Sequence, residues 1–363
     1  EGWCMVKMEE DNHQVGHCYG CNNVIEPYSA QQWFLKKELA TDAIDRVNKG
    51  ETKFFPPSWK NNYDAWMGEL RDWCISRQLW WGHRIPVFYC DHCGHEWASE
   101  TEEEHECPKC QSGMIHQDPD VLDTWFSSAL WPFSTLGWGN EESDQVTPED
   151  MEKFYPNSLL ITGFDILFFW VARMVMAGYE YRSQKPFEDV YFTGIVRDDK
   201  GRKMSKQLGN SPDAIKLMEQ YGTDGVRMGL MMAAPAGNDL LFDEALCEQG
   251  RNFGNKIWNA YRLIQGWEVS DADQDVFYNG SSDVIHTWMT AKLAETVSTV
   301  NDHFSKFRVS DAMTAIYKLI WGDFCSWYLE WMKPAYGSPI PSGDLVKIKA
   351  NFDSMLRLLH PFM

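Results

Sequence analysis

The sequence lacks a long uninterrupted hydrophobic run. Its most apolar stretch, Leu167 to Gly178, is shorter than the ~20 residues a spanning helix needs, and Arg173 interrupts it. No membrane partner is expected. A basic excess is missing too: 53 acidic residues stand against 33 basic ones, a net charge of −20. That balance argues against nonspecific duplex binding, which needs Lys and Arg to neutralise phosphates, although local charge decides individual contacts. Internal repeats and low-complexity tracts are absent. No signal peptide or initial Met opens the chain and it stops inside an apolar stretch, so an excised piece of a longer protein is expected. Ten cysteines in 363 residues fall far short of disulfide density, and six of them form three C-x-x-C pairs. That usage fits metal sites in a reducing compartment, with the cytoplasm as the expected location. With 44% hydrophobic and 24% charged residues the chain can bury a core, which excludes disorder, and its length suggests two or three domains.

Periodicity divides the chain. A helical pattern runs through Ala30–Asn48, followed by a break at Pro56-Pro57. Ile85 to Tyr89 reads as a short strand, and residues 141–152 as a solvated surface loop. From 158 to 235 the order is strand (Leu159-Leu160-Ile161), helix from about Asp165, strand Val190–Val196, basic loop, helix. That alternation argues a parallel sheet with helices on its faces. After about 243 strand signals vanish and helical periodicity takes over, as in Asp311–Trp331, so the last third reads as a separate helical domain.

Cys90-x2-Cys93 and Cys107-x2-Cys110, separated by 13 residues, have the spacing of a closed four-thiolate zinc site. Such an ion holds together a small polar insert that no core could, and with no open position its role is structural. Gly94, Pro108 and Gly113 suit the turns; His92, His95 and His105 read as solvent-facing. Cys18-x2-Cys21 is half a knuckle with no evident second pair. Cys4 with His13 or His17 could complete a mixed site, but an orphan half-site or two plain thiols is favoured. Cys74, Cys247 and Cys325 sit in apolar or helical contexts and read as core residues.

Residues 197–206 carry five basic and two acidic side chains, a local +3 in an acidic chain. Cations following a strand stand where open α/β sheets place ligands. Ser211-Pro212-Asp213 reads as the start of the next helix, with a capping hydroxyl, a proline in the first turn and a carboxylate at the positive end. By composition alone, a solvated basic hairpin is the simpler reading. Lys203-Met204-Ser205-Lys206, however, resembles the KMSKS signature of class I aminoacyl-tRNA synthetases, with Gln207 in place of the final serine. The resemblance implies that Lys203 and Lys206 stabilise charge on the triphosphate as the amino-acid carboxylate attacks the α-phosphate, an electrostatic role. Gly201 and Gly209 flank a segment that closes on ATP.

Further blocks narrow the resemblance. Asp72 to Pro86, with Trp80-Trp81-Gly82-His83, is similar to the segment that re-enters the catalytic domain after the editing insertion in the valyl, isoleucyl and leucyl enzymes. Asp123 to Pro132 and Gly163 to Trp170 resemble the valyl branch, and Arg251 to Asn259 and Phe324 to Glu330 its stem-contact and anticodon-binding region. By that resemblance Asp165 contacts the adenosine ribose, while Gly163, Met204 and Ser205 complete the ATP contacts. Ile166 and Trp170, four apart on one helix face, and Trp125 enclose a slot for a small branched side chain. Without the family, the same aromatics are ordinary core and Asp165 a plain helix cap. The HIGH motif is absent, and the second pair for Cys18 and Cys21 is expected upstream of the editing insertion.

The fold expected is therefore α/β: the second half of a Rossmann-like parallel-sheet catalytic domain with a zinc-knuckle insert, followed by an all-α helical bundle. Residues 1–60 are expected to be the trailing part of the editing insertion and return linker. Residues 61–242 form the C-terminal half of the catalytic domain, with a zinc insert at 88–117 and the basic loop at 197–210. Residues 243–363 form the truncated stem-contact and anticodon-binding part. The implied activity is ATP-dependent activation of valine and transfer to tRNA(Val), with Mg2+ as activator, structural Zn2+ and a monomeric state. This segment is expected to be inactive alone. An isoleucyl or leucyl fragment and a noncatalytic zinc-containing tRNA-binding module are the rival readings; valine-dependent ATP–pyrophosphate exchange separates them.

Overall fold

The computed structural model describes residues 14–18, 21–26, 28–101, 103–139, 147–205, 208–234, 237–270 and 281–363. The chain forms two compact units, Glu1–Lys36 with Arg71–Asp123, and Lys37–Leu70 with Thr124–Met363.

The larger unit contains the expected parallel sheet. Phe187–Thr193 lies in its middle, between Lys53–Phe55 and Asn157–Gly163. The central strand buries Phe187, Val190 and Phe192, bulky side chains that favour a pleated, packed surface. Its register sets Thr193 opposite Gly163, so the carboxyl ends of these two strands finish side by side. A parallel pair needs a long crossover, and here it is helical. The helix is wound in three pitches: a 3-10 turn at Phe164–Ile166, a π-helical stretch at Leu167–Ala172 and an α-helix at Arg173–Arg182. Residues 173–179 are buried on every side, which makes this a core helix.

Three expected elements are cut differently. The surface loop read over 141–152 is helical from Pro148, with Thr147 capping Pro148–Phe154, and residues 141–146 lie outside the described residues. The helical pattern over Ala30–Asn48 becomes helical only from Lys37, because Phe34–Leu35 pairs as a strand with Trp73–Cys74. The run Val190–Val196 is also split: pairing with the sheet stops at Thr193, and Val196–Arg197 pairs instead with Leu240–Leu241. Gly194 marks the break. A Cβ there would stand 1.8 Å from the Asn238 carbonyl oxygen, so only glycine lets the two backbones meet.

The remainder of this unit is largely helical. Thr223–Ala233 and Glu244–Gln265 lead to Ser281–Ser305, a continuous helical run from Val309 to Met332, and Ser342–Leu359. Met289, Met313, Ile316, Phe324, Ile348 and Met355 fill the core between them. Within that apolar core sits a polar chain. His286 meets the Tyr328 hydroxyl at 2.7 Å through Nδ1 and the Asp344 carboxylate at 3.0 Å through Nε2, and Asn351 donates to the same hydroxyl at 3.1 Å. Burial pushes the Tyr328 phenol up to about 12, so it stays protonated. No helix among the described residues is long and apolar enough to cross a membrane.

The smaller unit is a set of short antiparallel pairings. Val87–Cys90 runs between Glu96–Ala98 and Ile115–Gln117. The strand begins at Val87 rather than Ile85, since Pro86 has no N–H to donate. Its polar centre is the buried Asp118, which accepts from the Trp33 indole (2.8 Å), the Tyr89 hydroxyl (2.8 Å) and the Asp120 N–H (2.9 Å). Burial opposes the charge of Asp118, yet these donors and nearby Arg84 hold its carboxyl below the ordinary carboxylate value.

The His286 chain yields a stability test. Replacing His286 with Leu leaves the buried Asp344 carboxylate without its partner, which should cost about 3 kcal/mol. Asp344→Asn in the same background should recover part of that loss, as read by chemical denaturation.

Candidate functional site

The basic loop folds around one buried carboxylate. Asp198 follows the strand Val196–Arg197 and accepts the backbone N–H groups of Lys200 (3.1 Å) and Arg202 (2.8 Å) on Oδ1. Its Oδ2 accepts from Arg202 Nε (2.9 Å) and from Asn210 Nδ2 (2.9 Å). The Asn210 amide and the Arg202 guanidinium keep this carboxyl far below the usual range despite burial. Lys203 pairs across the hairpin with Arg197, and Gly201 at φ 74° closes the turn.

From this frame the Lys203 ammonium reaches Asp165 Oδ2 at 2.9 Å. Asp165 lies two residues beyond Gly163, the last residue of its strand, at the carboxyl end of the sheet. Two blocks far apart in sequence thus meet where parallel sheets bind ligands. The pair is partly exposed, Lys203 at 61% and Asp165 at 37%, so it contributes only about 0–1 kcal/mol and a ligand can displace it. Ser205 offers its N–H to Asn210 Oδ1 at 2.9 Å. Met204 lines a cavity of about 620 Å3 together with Asp198, Asp199, Asp243 and Glu244. So acidic a lining does not suit a triphosphate, and Lys203 is not part of it. Lys206, expected beside Lys203, lies outside the described residues, as does Gln207.

The aromatic residues gather by a route the sequence did not suggest. Ile166 ends the 3-10 turn and Trp170 lies in the π-helical stretch, so the α-helical reasoning that put both on one face does not apply. Instead Trp170 donates its indole N–H to the Ser128 carbonyl at 3.0 Å, tying the helix Thr124–Ser128 to the crossover. Trp125 of that helix stacks on Phe169, ring centroids 6.0 Å apart. Ser128 and Phe169 were invisible to periodicity. The next helix is also capped differently: Asp213, not Ser211, accepts the N–H groups of Ile215 and Lys216, and Pro212 precedes the cap.

The second site is the cysteine cluster. The sulfur atoms of Cys90, Cys93, Cys107 and Cys110 all lie within 4.8 Å of one another, an arrangement that could hold a metal ion. Both pairs share one backbone form. The first cysteine's N–H donates five residues on (Cys90 to His95, Cys107 to Ser112), and its carbonyl accepts from four residues on. That fourth residue is left-handed, Gly94 at φ 66° and Gln111 at φ 60°. Gly113, expected to make the second turn, is not the residue in that position. Burial disfavours the Cys107 thiolate, but the N–H groups of Cys110 and Lys109 outweigh it and bring its pKa down to about 7. Cys18 repeats the form: its N–H donates to the Asn23 carbonyl, its carbonyl accepts from Asn22, and Asn22 has φ 60°. A half-knuckle is therefore folded there. Cys4 and His13, considered as its complement, lie outside the described residues, and His17 Nδ1 is engaged with the Asn22 carbonyl at 2.9 Å. Cys247 and Cys325 are buried, as expected of core residues; Cys74 is partly buried, its thiol 3.6 Å from the Gln32 side-chain oxygen.

A basic strand-following loop meeting a Gly-x-Asp turn at the carboxyl end of a parallel sheet is a class I synthetase arrangement, and comparison with known proteins agrees. Residues 6–243 match the family of class I tRNA synthetases (I, L, M and V), and residues 286–363 the anticodon-binding domain of tRNA ligases. The chain belongs to the class I tRNA synthetase family. Among curated proteins it is 53% identical to the valine–tRNA ligase of Parabacteroides distasonis over 368 residues, and 50% identical to that of Nitratiruptor over 364. These alignments cover 99% and 98% of this chain but only 41% and 40% of the relatives, so the chain spans about two fifths of their length. The fold also matches a methionyl-tRNA synthetase of Mycobacterium tuberculosis bound by methionyl-adenylate, with TM-score 0.63, 18% identity, and 96% of this chain and 64% of that one covered. It matches the LeuRS of an Agrobacterium radiobacter complex with tRNA and LeuAMS, with TM-score 0.61, 20% identity and coverage of 81% and 40%.

The cysteine geometry leads to a metal count. One tightly held ion per chain is expected in the purified protein, with Cys18 and Cys21 adding none or a weakly bound fraction. Elemental analysis before and after chelation checks this; four freely titratable thiols at Cys90, Cys93, Cys107 and Cys110 would sink it.

Proposed function

We propose that this chain is the ATP-loop half of the catalytic domain, with the adjoining helical part, of a valine–tRNA ligase. The observation that carries the reading is the Lys203–Asp165 contact at the carboxyl ends of the parallel strands. The identity to valine–tRNA ligases supports valine as the substrate. In the reaction, a valine carboxylate oxygen attacks the α-phosphorus of ATP and pyrophosphate leaves. The terminal hydroxyl of tRNA(Val) then attacks the carbonyl carbon of valyl-adenylate, and AMP leaves.

Within this reading Asp165 turns from Lys203 to the ribose hydroxyls, and Gly163 lets the nucleotide approach the backbone. Lys203 and Lys206 face the phosphates, with Met204 and Ser205 presenting the loop, and stabilise the charge that builds as the α-phosphorus is attacked. Mg2+ accompanies the triphosphate. Trp125, Ile166 and Trp170 form the apolar slot for the valine side chain, with Phe169 backing Trp125.

The metal is zinc. A tetrahedral ion with Zn–S bonds of about 2.3 Å sets its sulfurs about 3.8 Å apart. The sulfurs of Cys90 and Cys110 are 3.6 Å apart and those of Cys93 and Cys107 3.7 Å, so the donor set fits. Held by Cys90, Cys93, Cys107 and Cys110, such an ion would keep no open position and would hold the insert 88–117 in shape. The half-knuckle at Cys18 and Cys21 is completed by a second pair from the part of the ligase that this chain does not span. Residues 1–60 belong to the return from the editing insertion, 61–242 to the catalytic domain and 243–363 to the stem-contact and anticodon-binding part. The ligase acts as a cytoplasmic monomer.

Lys203→Ala in the full-length ligase should slow valine-dependent ATP–pyrophosphate exchange by two to three powers of ten, the scale of about 2.7–4 kcal/mol for one transition-state donor. The melting temperature should barely move, because the exposed ion pair adds little stability. Matched losses of activity and stability would count against the role, and exchange driven by isoleucine or leucine in preference to valine would overturn the substrate.

A further inference from the structure

We propose that Asp198 and Asn210 are positioning residues for adenylate formation, clamping the main chain on both sides of Met204 and so aiming the Lys203 ammonium. The inference rests on the reading of Lys203 as an ATP-loop lysine. Asp198 is buried, and its carboxylate accepts the backbone N–H groups of Lys200 and Arg202 together with the Arg202 guanidinium and the Asn210 side-chain amide. A carboxylate has roughly four acceptor positions, and these donors use them. It is therefore an internal brace with no capacity left for a ligand.

Asn210 performs two opposite tasks with one carboxamide. Its Nδ2 donates to Asp198 Oδ2 at 2.9 Å and to the Lys203 carbonyl at 3.4 Å, while its Oδ1 accepts the Ser205 N–H at 2.9 Å. The partners dictate that orientation, since the carboxylate only accepts and the backbone N–H only donates. No other side chain of this size offers both groups. Aspartate would set a second carboxylate against Asp198, and alanine would leave both neighbours unpaired. Residues 203 and 205 are thus held from one point that is itself anchored to a buried charge. Lys203 is pinned a second time by its bridge to Arg197. Its ammonium sits 2.9 Å from Asp165, at the place where the reacting phosphates are proposed to lie. A reacting group displaced by about 1 Å can cost a hundredfold in rate, so a brace of this kind is felt in the chemistry and hardly in substrate affinity.

The test uses the full-length ligase with Asn210→Asp, Lys203→Ala, the double variant, and the exchange Asp198→Asn with Asn210→Asp. Asn210→Asp should lower kcat for valine-dependent ATP–pyrophosphate exchange roughly 10–100-fold, leaving the KM for valine unchanged. Transfer of valine from supplied valyl-adenylate to tRNA should keep its rate, because that step does not use the triphosphate. The double variant should be no slower than Lys203→Ala, since Asn210 acts through Lys203. The exchanged pair, which again sets one carboxylate against one carboxamide, should regain activity over Asn210→Asp alone. Multiplied losses in the double variant, equal losses in both steps, or a wild-type rate for Asn210→Asp beside a crippled Lys203→Ala would overturn the positioning role alone. A wild-type rate for Lys203→Ala would overturn the ATP-loop reading and this inference with it.

Discussion

Parallel pairing of Asn157–Gly163 with Phe187–Thr193 is the constraint on which the site depends. Parallel strands leave their carboxyl ends on one edge, so whatever follows each strand is delivered to the same place. After the first comes the Gly163–Asp165 turn; after the second, past Gly194, comes the basic loop. Neither segment needs affinity for the other to meet. The ion pair that joins them, Lys203 with Asp165, is exposed and too weak to organise anything by itself. The strong interactions lie behind it, in the buried side chains of the central strand and in residues 173–179 of the crossover helix. A weak, replaceable contact on a rigid frame suits the nucleotide site proposed here, where a ligand would take the place of the protein carboxylate.

Charge in this chain works locally rather than through the total of −20. The loop that concentrates cations is built on a buried anion, Asp198, whose ionised form is favoured by its donors. The groove on which Met204 sits is acidic. An anionic ligand is thus discouraged in that groove, which Lys203 does not line. The same economy of burial appears in the helical part, where His286, Tyr328, Asp344 and Asn351 satisfy one another inside a hydrocarbon core.

The metal-type turns show one backbone form reached by different residues. Gly94, Gln111 and Asn22 occupy equivalent left-handed positions after Cys-x-x-Cys pairs. Glycine enters that region freely, asparagine with little penalty, and glutamine only because the surrounding hydrogen bonds over-determine it. Two of these turns converge and the third has no counterpart among the described residues. The insert that carries them is made of short strands and polar turns around the Phe88–Trp97 stack, and its four sulfurs face one another.

Much of this was legible in the residues. The paired cysteine spacing, the alternation of strand and helix between 158 and 235, the helical last third and the basic loop all follow from short-range rules of turn chemistry and periodicity. These rules act between neighbours, so a linear reading captures them. Three things were settled only in space. The tripartite pitch of residues 164–182 defeated the i, i+4 argument for Ile166 and Trp170, because periodicity in sequence does not reveal which helical pitch packing selects. Phe34–Leu35 left its helical pattern to pair with Trp73–Cys74, a partner too distant for local propensity to sense. Asn210 looked like one polar residue among many until folding set the nitrogen and oxygen of its amide between a buried carboxylate and the backbone of Ser205. The sequence by itself determined which residues carry charge and sulfur and in what order. Tertiary structure decided which of them meet, because burial and hydrogen-bond satisfaction are properties of the assembled chain.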